Sequence, residues 1–203
     1  MILEKFTTPG MGENIYLVGE GSDVVLIDPG AVLPRIDKLI AEQGYELKAI
    51  LLTHGHCDHI GGVEYYRDKY QVDVYVPFED QPMIETPKLN LSPAVVGQPI
   101  SIMGSKVYSD NDVMTFGTVV VEAIHTPGHT LGSSCLVIAG NIFSGDTLFK
   151  LGVGRSDLYG GDEHTLMTSI RTKLFTRLDA PVFPGHGVRT SIHYERDHNP
   201  FVR

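Results

Sequence analysis

Thr-His-Gly-His-Cys-Asp-His occupies residues 53–59, directly after the apolar run at residues 49–52. A short apolar run of this kind predicts a buried strand, so the polar cluster lies where that strand ends. His54 and His56 are two positions apart in an extended segment, and their side chains can therefore leave the chain on the same side. Imidazole and carboxylate groups are ligands for Zn(II), Fe(II) and Mn(II). The stretch predicts a metal site at the edge of a sheet.

Three further residues of types that bind metals lie after predicted strands, each after a different strand. His129 lies in His-Thr-Pro-Gly-His-Thr at residues 125–130, Asp146 follows the strand at 141–144, and His186 follows the strand at 181–183. With the first cluster they make seven candidate ligands: His54, His56, Asp58, His59, His129, Asp146 and His186. Seven ligands are too many for one tetrahedral metal. They suit two metals that share one carboxylate.

The remaining pattern predicts strands followed by a helix, twice along the chain. The predicted strands are 15–18, 24–27, 49–52, 72–76, 119–124, 134–138, 141–144 and 181–183, and the predicted helices are 34–43, 63–70 and 163–177. Such an order favours an α/β (α+β) fold in which two sheets pack together with helices outside. We expect a single catalytic domain over residues 1–203. The Pro- and Gly-rich segment 85–105 is interpreted as an active-site loop, with a domain linker as the alternative.

Composition excludes several classes of protein. The chain has 203 residues, a formal net charge of −9 and no basic run, which argues against nucleic acid or an anionic membrane as partner. Only Cys57 and Cys135 are present, so a disulfide scaffold is excluded. The first residues do not resemble a signal peptide, and no stretch of about 18 apolar residues exists. We therefore expect a cytoplasmic protein with a small-molecule substrate; its oligomeric state stays open.

The motifs resemble those of the metallo-β-lactamase superfamily. The cluster at 53–59 matches the superfamily signature HxHxDH, and the similarity continues through HTPGHT at 125–130, SGDTLF at 144–149 and FPGHG at 183–187. The pattern is most similar to the glyoxalase II-like hydrolases in their short bacterial form. Only 17 residues follow His186, so we expect the C-terminal helical domain of longer members to be missing. The resemblance implies a four-layer αβ/βα sandwich of two mixed sheets with a dinuclear site at one edge.

The resemblance also implies a role for each ligand. One metal would take His54, His56 and His129, the other Asp58, His59 and His186, and Asp146 would bridge them with a water or hydroxide. We expect two divalent ions, zinc first, with iron or manganese as alternatives. The implied reaction is hydrolysis of a thioester, hydroxyacylglutathione (lactoylglutathione) above all, by attack of the bridging hydroxide. Asp58 would also be catalytic, because it orients that hydroxide.

Other activities in the superfamily remain as alternatives. A persulfide dioxygenase would use one iron on His54, His129 and Asp146, and a lactonase would keep all seven ligands. Lys150 and Arg155 are the candidate substrate-binding residues, since each could meet a carboxylate of glutathione. For Arg155 an internal ion pair with Asp157 is the alternative interpretation. Secreted β-lactamases are disfavoured, because they are exported and generally lack the bridging aspartate.

Overall fold

The computed structural model describes residues 1–202 and contains two six-stranded sheets. The first sheet comprises β1 (Ile2–Thr7), β2 (Asn14–Glu20), β3 (Asp23–Ile27), β4 (Glu46–Leu51), β5 (Asp73–Pro77) and β6 (Lys106–Tyr108), paired in that order. Its first three strands are antiparallel, whereas β3 to β6 run parallel. The parallel strands all deliver their carboxyl ends to one edge, and β4 ends directly before the 53–59 cluster.

The second sheet is formed by the second half of the chain. Its strands are β7 (Val113–Phe116), β8 (Val119–His125), β9 (Ser134–Ile138), β10 (Asn141–Gly145), β13 (Pro181–Pro184) and β14 (Thr190–Ser191). Between β10 and β13 in the chain, β11 (Leu148–Phe149) and β12 (Gly152–Val153) form a separate two-stranded ribbon. The order across this sheet is β14-β13-β10-β9-β8-β7. Because β10 and β13 are parallel, Asp146 and His186 leave the sheet at the same edge.

Helices cover the outer faces of both sheets. They are α1 (Pro34–Gln43), α2 (Cys57–Ile60), α3 (Val63–Tyr70), α4 (Gln81–Glu85), α5 (Ser92–Val95), α6 (Glu163–Ser169) and α7 (Ile192–His198). The predicted helix α1 is confirmed, and Gly44 ends it in a left-handed conformation with φ of 66°. The predicted helix at 163–177 is shorter than expected, since α6 continues only as a π-helical turn over Ile170–Leu174. No helix within residues 1–202 is both long and apolar enough to cross a membrane.

Three apolar clusters hold these layers together. Between the sheets, Val25 and Ile27 of β3 pack with Val121 of β8 and Phe143 of β10. Alternate residues of the same strand, such as Leu26, face α1 and α3 on the other side of the first sheet. The outer face of the second sheet packs against α6 and α7. The alternation of buried side chains along the strands thus produces the predicted four-layer arrangement.

The segment 85–105 is ordered and contains α5. The buried Asn90 side chain donates hydrogen bonds to the carbonyls of Met83 and Ile100, at 3.2 and 2.9 Å, which closes the segment on itself. The Asn90 carbonyl in turn accepts from the Cys57 N–H at 3.0 Å. The segment is therefore fastened to the start of α2, beside the candidate ligands, as an active-site loop would be.

Candidate metal centre

Three histidines form the first ligand group: His54, His56 and His129. His129 Nε2 lies 2.9 Å from His56 Nδ1 and 3.2 Å from His54 Nε2, and all three side chains are buried. Their ring nitrogens lie within 4.8 Å of one another. Three imidazole nitrogens that face one point offer lone pairs to a cation, which is the ligand set that zinc and related metals prefer.

Asp58, His59 and His186 form the second ligand group. His186 Nε2 lies 3.3 Å and His59 Nε2 3.9 Å from Asp58 Oδ2. Asp58 and His59 belong to α2, whereas His186 follows β13. This group combines two imidazoles with one carboxylate and is more open, because 29% of the His186 side chain is exposed.

Asp146 stands between the two groups. Its Oδ1 is 3.4 Å from His59 Nε2, and its Oδ2 is 3.6 Å from both His129 Nε2 and His186 Nε2. Among the described residues, Asp146 Oδ1 and His59 Nε2 are buried and have no hydrogen-bond partner. Buried polar atoms of this kind are rare in folded proteins. A cation on either side of Asp146 would satisfy them, so the residues present fit a two-metal centre.

For two of the five histidine rings, a hydrogen bond on the side away from the centre fixes which nitrogen faces it. His59 Nδ1 lies 3.0 Å from Asp28 Oδ2, and His129 Nδ1 lies 2.7 Å from the Arg155 carbonyl. A donated Nδ1–H leaves Nε2 with its lone pair toward the metal position. Asp28 also accepts from the N–H and the hydroxyl of Thr53, at 2.7 and 2.6 Å. Asp28 therefore contacts the candidate ligand His59 directly and holds the chain just before His54.

The two groups differ in their electrostatics. Burial lowers the pKa of His56 to about 3 and, aided by the neighbouring His59, holds that of His54 well below its usual value. Burial would also lower the pKa of His59, but the Asp146 and Asp28 carboxylates outweigh it and raise that pKa well above normal. His54 and His56 are thus neutral donors, while carboxylates draw positive charge to the second group.

A cavity of about 230 Å³ opens onto both groups. Besides ligands, its wall contains the apolar side chains of Met11, Leu91, Val95 and Leu158. Leu91 and Val95 come from the 85–105 segment. One wall of the cavity can therefore hold an apolar part of a substrate while the polar part faces the ligands.

The two predicted substrate-binding residues are placed differently. Arg155 lines the cavity, and its guanidinium is paired with Asp157 by contacts of 2.7 and 2.9 Å. Lys150 lies outside the cavity wall, with its ammonium 5.8 Å from the centre of the Tyr194 ring. The cavity is thus lined by Arg155 and by five of the seven candidate ligands, while His54 and His59 are buried behind them and Lys150 lies at a separate hollow.

Two buried carboxylates were missed by sequence reasoning. Asp80 follows β5 and is 1% exposed, and Glu13 precedes β2 and is fully buried. Neither oxygen of Glu13 has a hydrogen-bond partner within residues 1–202, and burial raises its pKa well above the usual value. No metal-type spacing surrounds either residue. The local sequence at Asp80 indicates only the start of a helix, because Pro82 suits the first turn of α4.

Two packed sheets with facing histidine and carboxylate groups at one edge define a metal-dependent hydrolase scaffold. The sequence model of the metallo-beta-lactamase superfamily matches residues 8–186. The chain belongs to that superfamily.

Relatives cover nearly the whole chain. It is 35% identical to the probable metallo-hydrolase YqgX of Bacillus subtilis, over 93% of this chain and 92% of that protein. It is 30% identical to the hydroxyacylglutathione hydrolase GloC of Haemophilus influenzae, over 100% of this chain and 98% of that protein. These similarities place the protein among metallo-hydrolases.

Solved structures confirm the fold. The BLEG-1 B3 metallo-beta-lactamase superimposes with a TM-score of 0.93 at 33% identity, over 99% of both chains. TTHA1623 in a di-iron-bound form superimposes with a TM-score of 0.85 at 34% identity, over 98% of this chain and 99% of that one. The predicted sandwich of mixed sheets flanked by helices is therefore confirmed.

Proposed function

We propose that this protein is a dinuclear metal-dependent hydrolase of thioesters, with hydroxyacylglutathione such as lactoylglutathione as its substrate. The observation that carries the proposal is the position of Asp146, whose two oxygens face the two ligand groups. In this proposal His54, His56 and His129 hold one ion, Asp58, His59 and His186 hold the other, and Asp146 touches both.

Bound metals would supply a water-derived nucleophile near neutral pH and stabilise the negative charge that develops on the thioester carbonyl. The chain's own residues orient the reactants. Asp58 Oδ2 lies 3.9 Å from His59 Nε2 and 3.3 Å from His186 Nε2 at the cavity wall, where it can hold a water in line with a bound substrate. The apolar wall of Leu91, Val95 and Leu158 would hold the acyl chain and exclude bulk water.

Glutathione is the proposed thiol part for two reasons. A relative at 30% identity, GloC, carries the name hydroxyacylglutathione hydrolase. Arg155 lines the cavity and could exchange Asp157 for a substrate carboxylate.

Zinc is the proposed metal, since it suits imidazole-rich sites. Iron is the alternative, and the similar TTHA1623 has been observed in a di-iron form. We keep the cytoplasm as the proposed location because Cys57 and Cys135 are both free thiols.

A second candidate is a mono-iron persulfide dioxygenase. It is favoured by one local arrangement, in which His129 Nε2 lies 3.2 Å from His54 Nε2 and 3.6 Å from Asp146 Oδ2. Two histidines and one carboxylate on one face are the ligand set of non-haem iron oxygenases. In that case His56, His59 and His186 would not be needed for metal binding.

One experiment separates the candidates. Metal per chain is measured by elemental analysis, and the same preparation is assayed for lactoylglutathione hydrolysis, for oxygen uptake with glutathione persulfide and for hydrolysis of a cephalosporin. We expect two metals per chain and thioester hydrolysis. One iron per chain with oxygen uptake and no hydrolysis would overturn the proposal in favour of the dioxygenase. Cephalosporin turnover alone would point to the activity named for BLEG-1.

His56→Ala sharpens the result, because only the two-metal centre needs His56. The proposal predicts loss of one metal and of hydrolysis, whereas the one-iron alternative predicts little change in iron content. His164→Ala, which removes an exposed histidine at the start of α6, is the matched control and should change neither.

A further inference from the structure

Asp80 is a buried carboxylate that touches none of the candidate ligands. It ends the 3₁₀ turn Phe78–Asp80 that follows β5 and leads directly into α4. Only 1% of its surface is exposed. An aspartate in such a place needs hydrogen-bond donors, because a buried carboxylate without partners strongly disfavours the folded state.

Both loops that carry the first ligand group supply those donors. Asp80 Oδ2 accepts from the Gly55 N–H at 2.9 Å and from the Thr130 hydroxyl at 2.7 Å. Asp80 Oδ1 accepts from the Gly132 N–H at 2.7 Å. Gly55 lies between His54 and His56, and Thr130 follows His129. One carboxylate therefore joins the chain positions adjacent to all three histidines of the first group.

Close packing at two glycines supports the same junction. A Cβ atom on Gly132 would lie 2.7 Å from Asp80 Cγ, and a Cβ atom on Gly55 would lie 2.8 Å from Met83 Cγ in α4. Real side chains essentially never approach so closely. At Gly55 and Gly132 the two ligand loops therefore pack directly against the segment from Asp80 to Met83, because no glycine side chain intervenes. This segment sets the distance between the two loops.

The second ligand group is held in another way. Asp58 and His59 lie in α2, His59 is held by Asp28 through its ring, and His186 follows β13 in the other sheet. None of the three Asp80 hydrogen bonds reaches a residue next to these ligands.

We propose that Asp80 is a positioning residue for the first ligand group alone: it fixes the distance between the His54–His56 loop and the His129 loop and so sets the affinity of one of the two metals. The inference rests on the two-metal centre proposed above, but not on the thioester substrate. A purely structural role would instead lower the stability of the fold and leave the two metal affinities in their original ratio.

The test is Zn²⁺ titration of the metal-free protein against a chromophoric chelator, which returns one affinity for each metal. In Asp80→Asn the amide keeps the size of the carboxylate but offers one acceptor for three donors. We expect one affinity to fall by roughly 10–100-fold, as for other groups that orient metal ligands, and the other to stay within about twofold of wild type.

Asp179→Asn is the matched control. Asp179 also accepts from a backbone N–H, that of His193 at 2.9 Å, but both residues are exposed and lie outside the ligand loops. Both Zn²⁺ affinities should stay at their wild-type values in this variant.

Double variants show which metal is affected. His56→Gln removes a ligand of the first group, so adding Asp80→Asn to it should cause no further loss of zinc. His186→Gln removes a ligand of the second group, so the combination with Asp80→Asn should lose one metal and bind the other roughly 10–100-fold more weakly. Such non-additivity identifies a shared site, whereas independent effects add.

Several results would overturn the proposal. These are unchanged affinities in Asp80→Asn, equal loss of both metals, or a further loss of zinc when Asp80→Asn is added to His56→Gln. If Asp80→Asn does not fold, Thr130→Val removes one of the three donors and must show the same selective loss to a smaller extent. If the wild type binds only one zinc, the proposed two-metal function is wrong. The role of Asp80 is then tested separately: if His54→Gln abolishes binding of that zinc, Asp80→Asn must weaken it.

Discussion

The two ligand groups lie side by side yet are built on different principles. In the first group the three imidazoles are at most 5% exposed, and the group contains no carboxylate. In the second group Asp58 and His186 have side chains that are 15% and 29% exposed. Both groups contribute to the cavity wall, but the first is the more deeply buried and the second the more exposed.

Charge follows the same division. Desolvation depresses the pKa of His54 and His56, so those rings are neutral and their lone pairs are available at any ordinary pH. For His186, burial lowers the pKa but the hydrogen bond to Asp58 and the nearby Asp146 raise it overall. A cation is thus selected by geometry in the first group and attracted by negative charge in the second. Variants of the two groups should therefore fail in different ways.

The largest effect is expected from direct ligand substitutions. His54→Gln and His186→Gln should each remove one metal per chain and reduce thioester hydrolysis by more than about 100-fold, beyond the range of groups that only orient ligands. Because His54 is fully buried and His186 is not, only His54→Gln should also change the thermal stability of the metal-free protein. Elemental analysis, kinetics and thermal unfolding check this. Loss of both metals in either variant would mean that the groups are not separable.

The second-largest effect, a loss of thermal stability, is expected when a chelator removes the metal. A ligand present at 100 times its dissociation constant stabilises the folded state by about 2.7 kcal/mol. For a chain of this length that corresponds to roughly 5–10 °C in melting temperature. We expect metal release in two phases, with the exposed second group emptied first. A single phase measured by stopped-flow chelation would contradict the contrast in exposure.

Asp28→Asn tests a carboxylate that supports both groups. Asp28 accepts the His59 Nδ1–H at 3.0 Å, and it also accepts from the N–H and the hydroxyl of Thr53, which precedes His54. An amide that turns its NH₂ toward these donors would disturb both ligands, so we expect both metals to bind about 10–100-fold more weakly. Zinc titration of Asp28→Asn beside Asp80→Asn should therefore show two affinities lowered in the first variant and one in the second. An unchanged affinity for either metal in Asp28→Asn would contradict the support of both groups by Asp28.

The smallest effect is expected at Arg155. Its ion pair with Asp157 is exposed to water, and such pairs add little to stability, so the melting temperature of Arg155→Ala should equal that of wild type. If the guanidinium meets a substrate carboxylate, KM for lactoylglutathione should rise several-fold with kcat unchanged. Lys150→Ala, outside the cavity wall, is the comparison. A rise in KM for Lys150→Ala alone would move the carboxylate site to the hollow beside Tyr194.

Local sequence was sufficient for the ligands and for much of the fold. A ligand such as His54 or Asp146 stands directly after an apolar strand, and strands in a parallel pair end at one edge, so the chain order already gathers the ligands. The Arg155–Asp157 pair is two positions apart and was recognisable as a local alternative. Helix α1 has its proline start and glycine end within one short segment. Each of these features needs only neighbours in the chain.

Tertiary structure alone decided how the ligands are supported. Asp80 meets donors 25 and 52 positions away, and Asp28 meets His59 31 positions away. Lys150 was a candidate substrate-binding residue from the sequence, but it lies in the turn between β11 and β12, at another hollow. An aspartate between a strand and a helix has the same local pattern whether it caps a turn or joins two loops. The amino-acid sequence therefore determined which atoms can bind metal, and long-range packing determined which buried carboxylate holds each group in place.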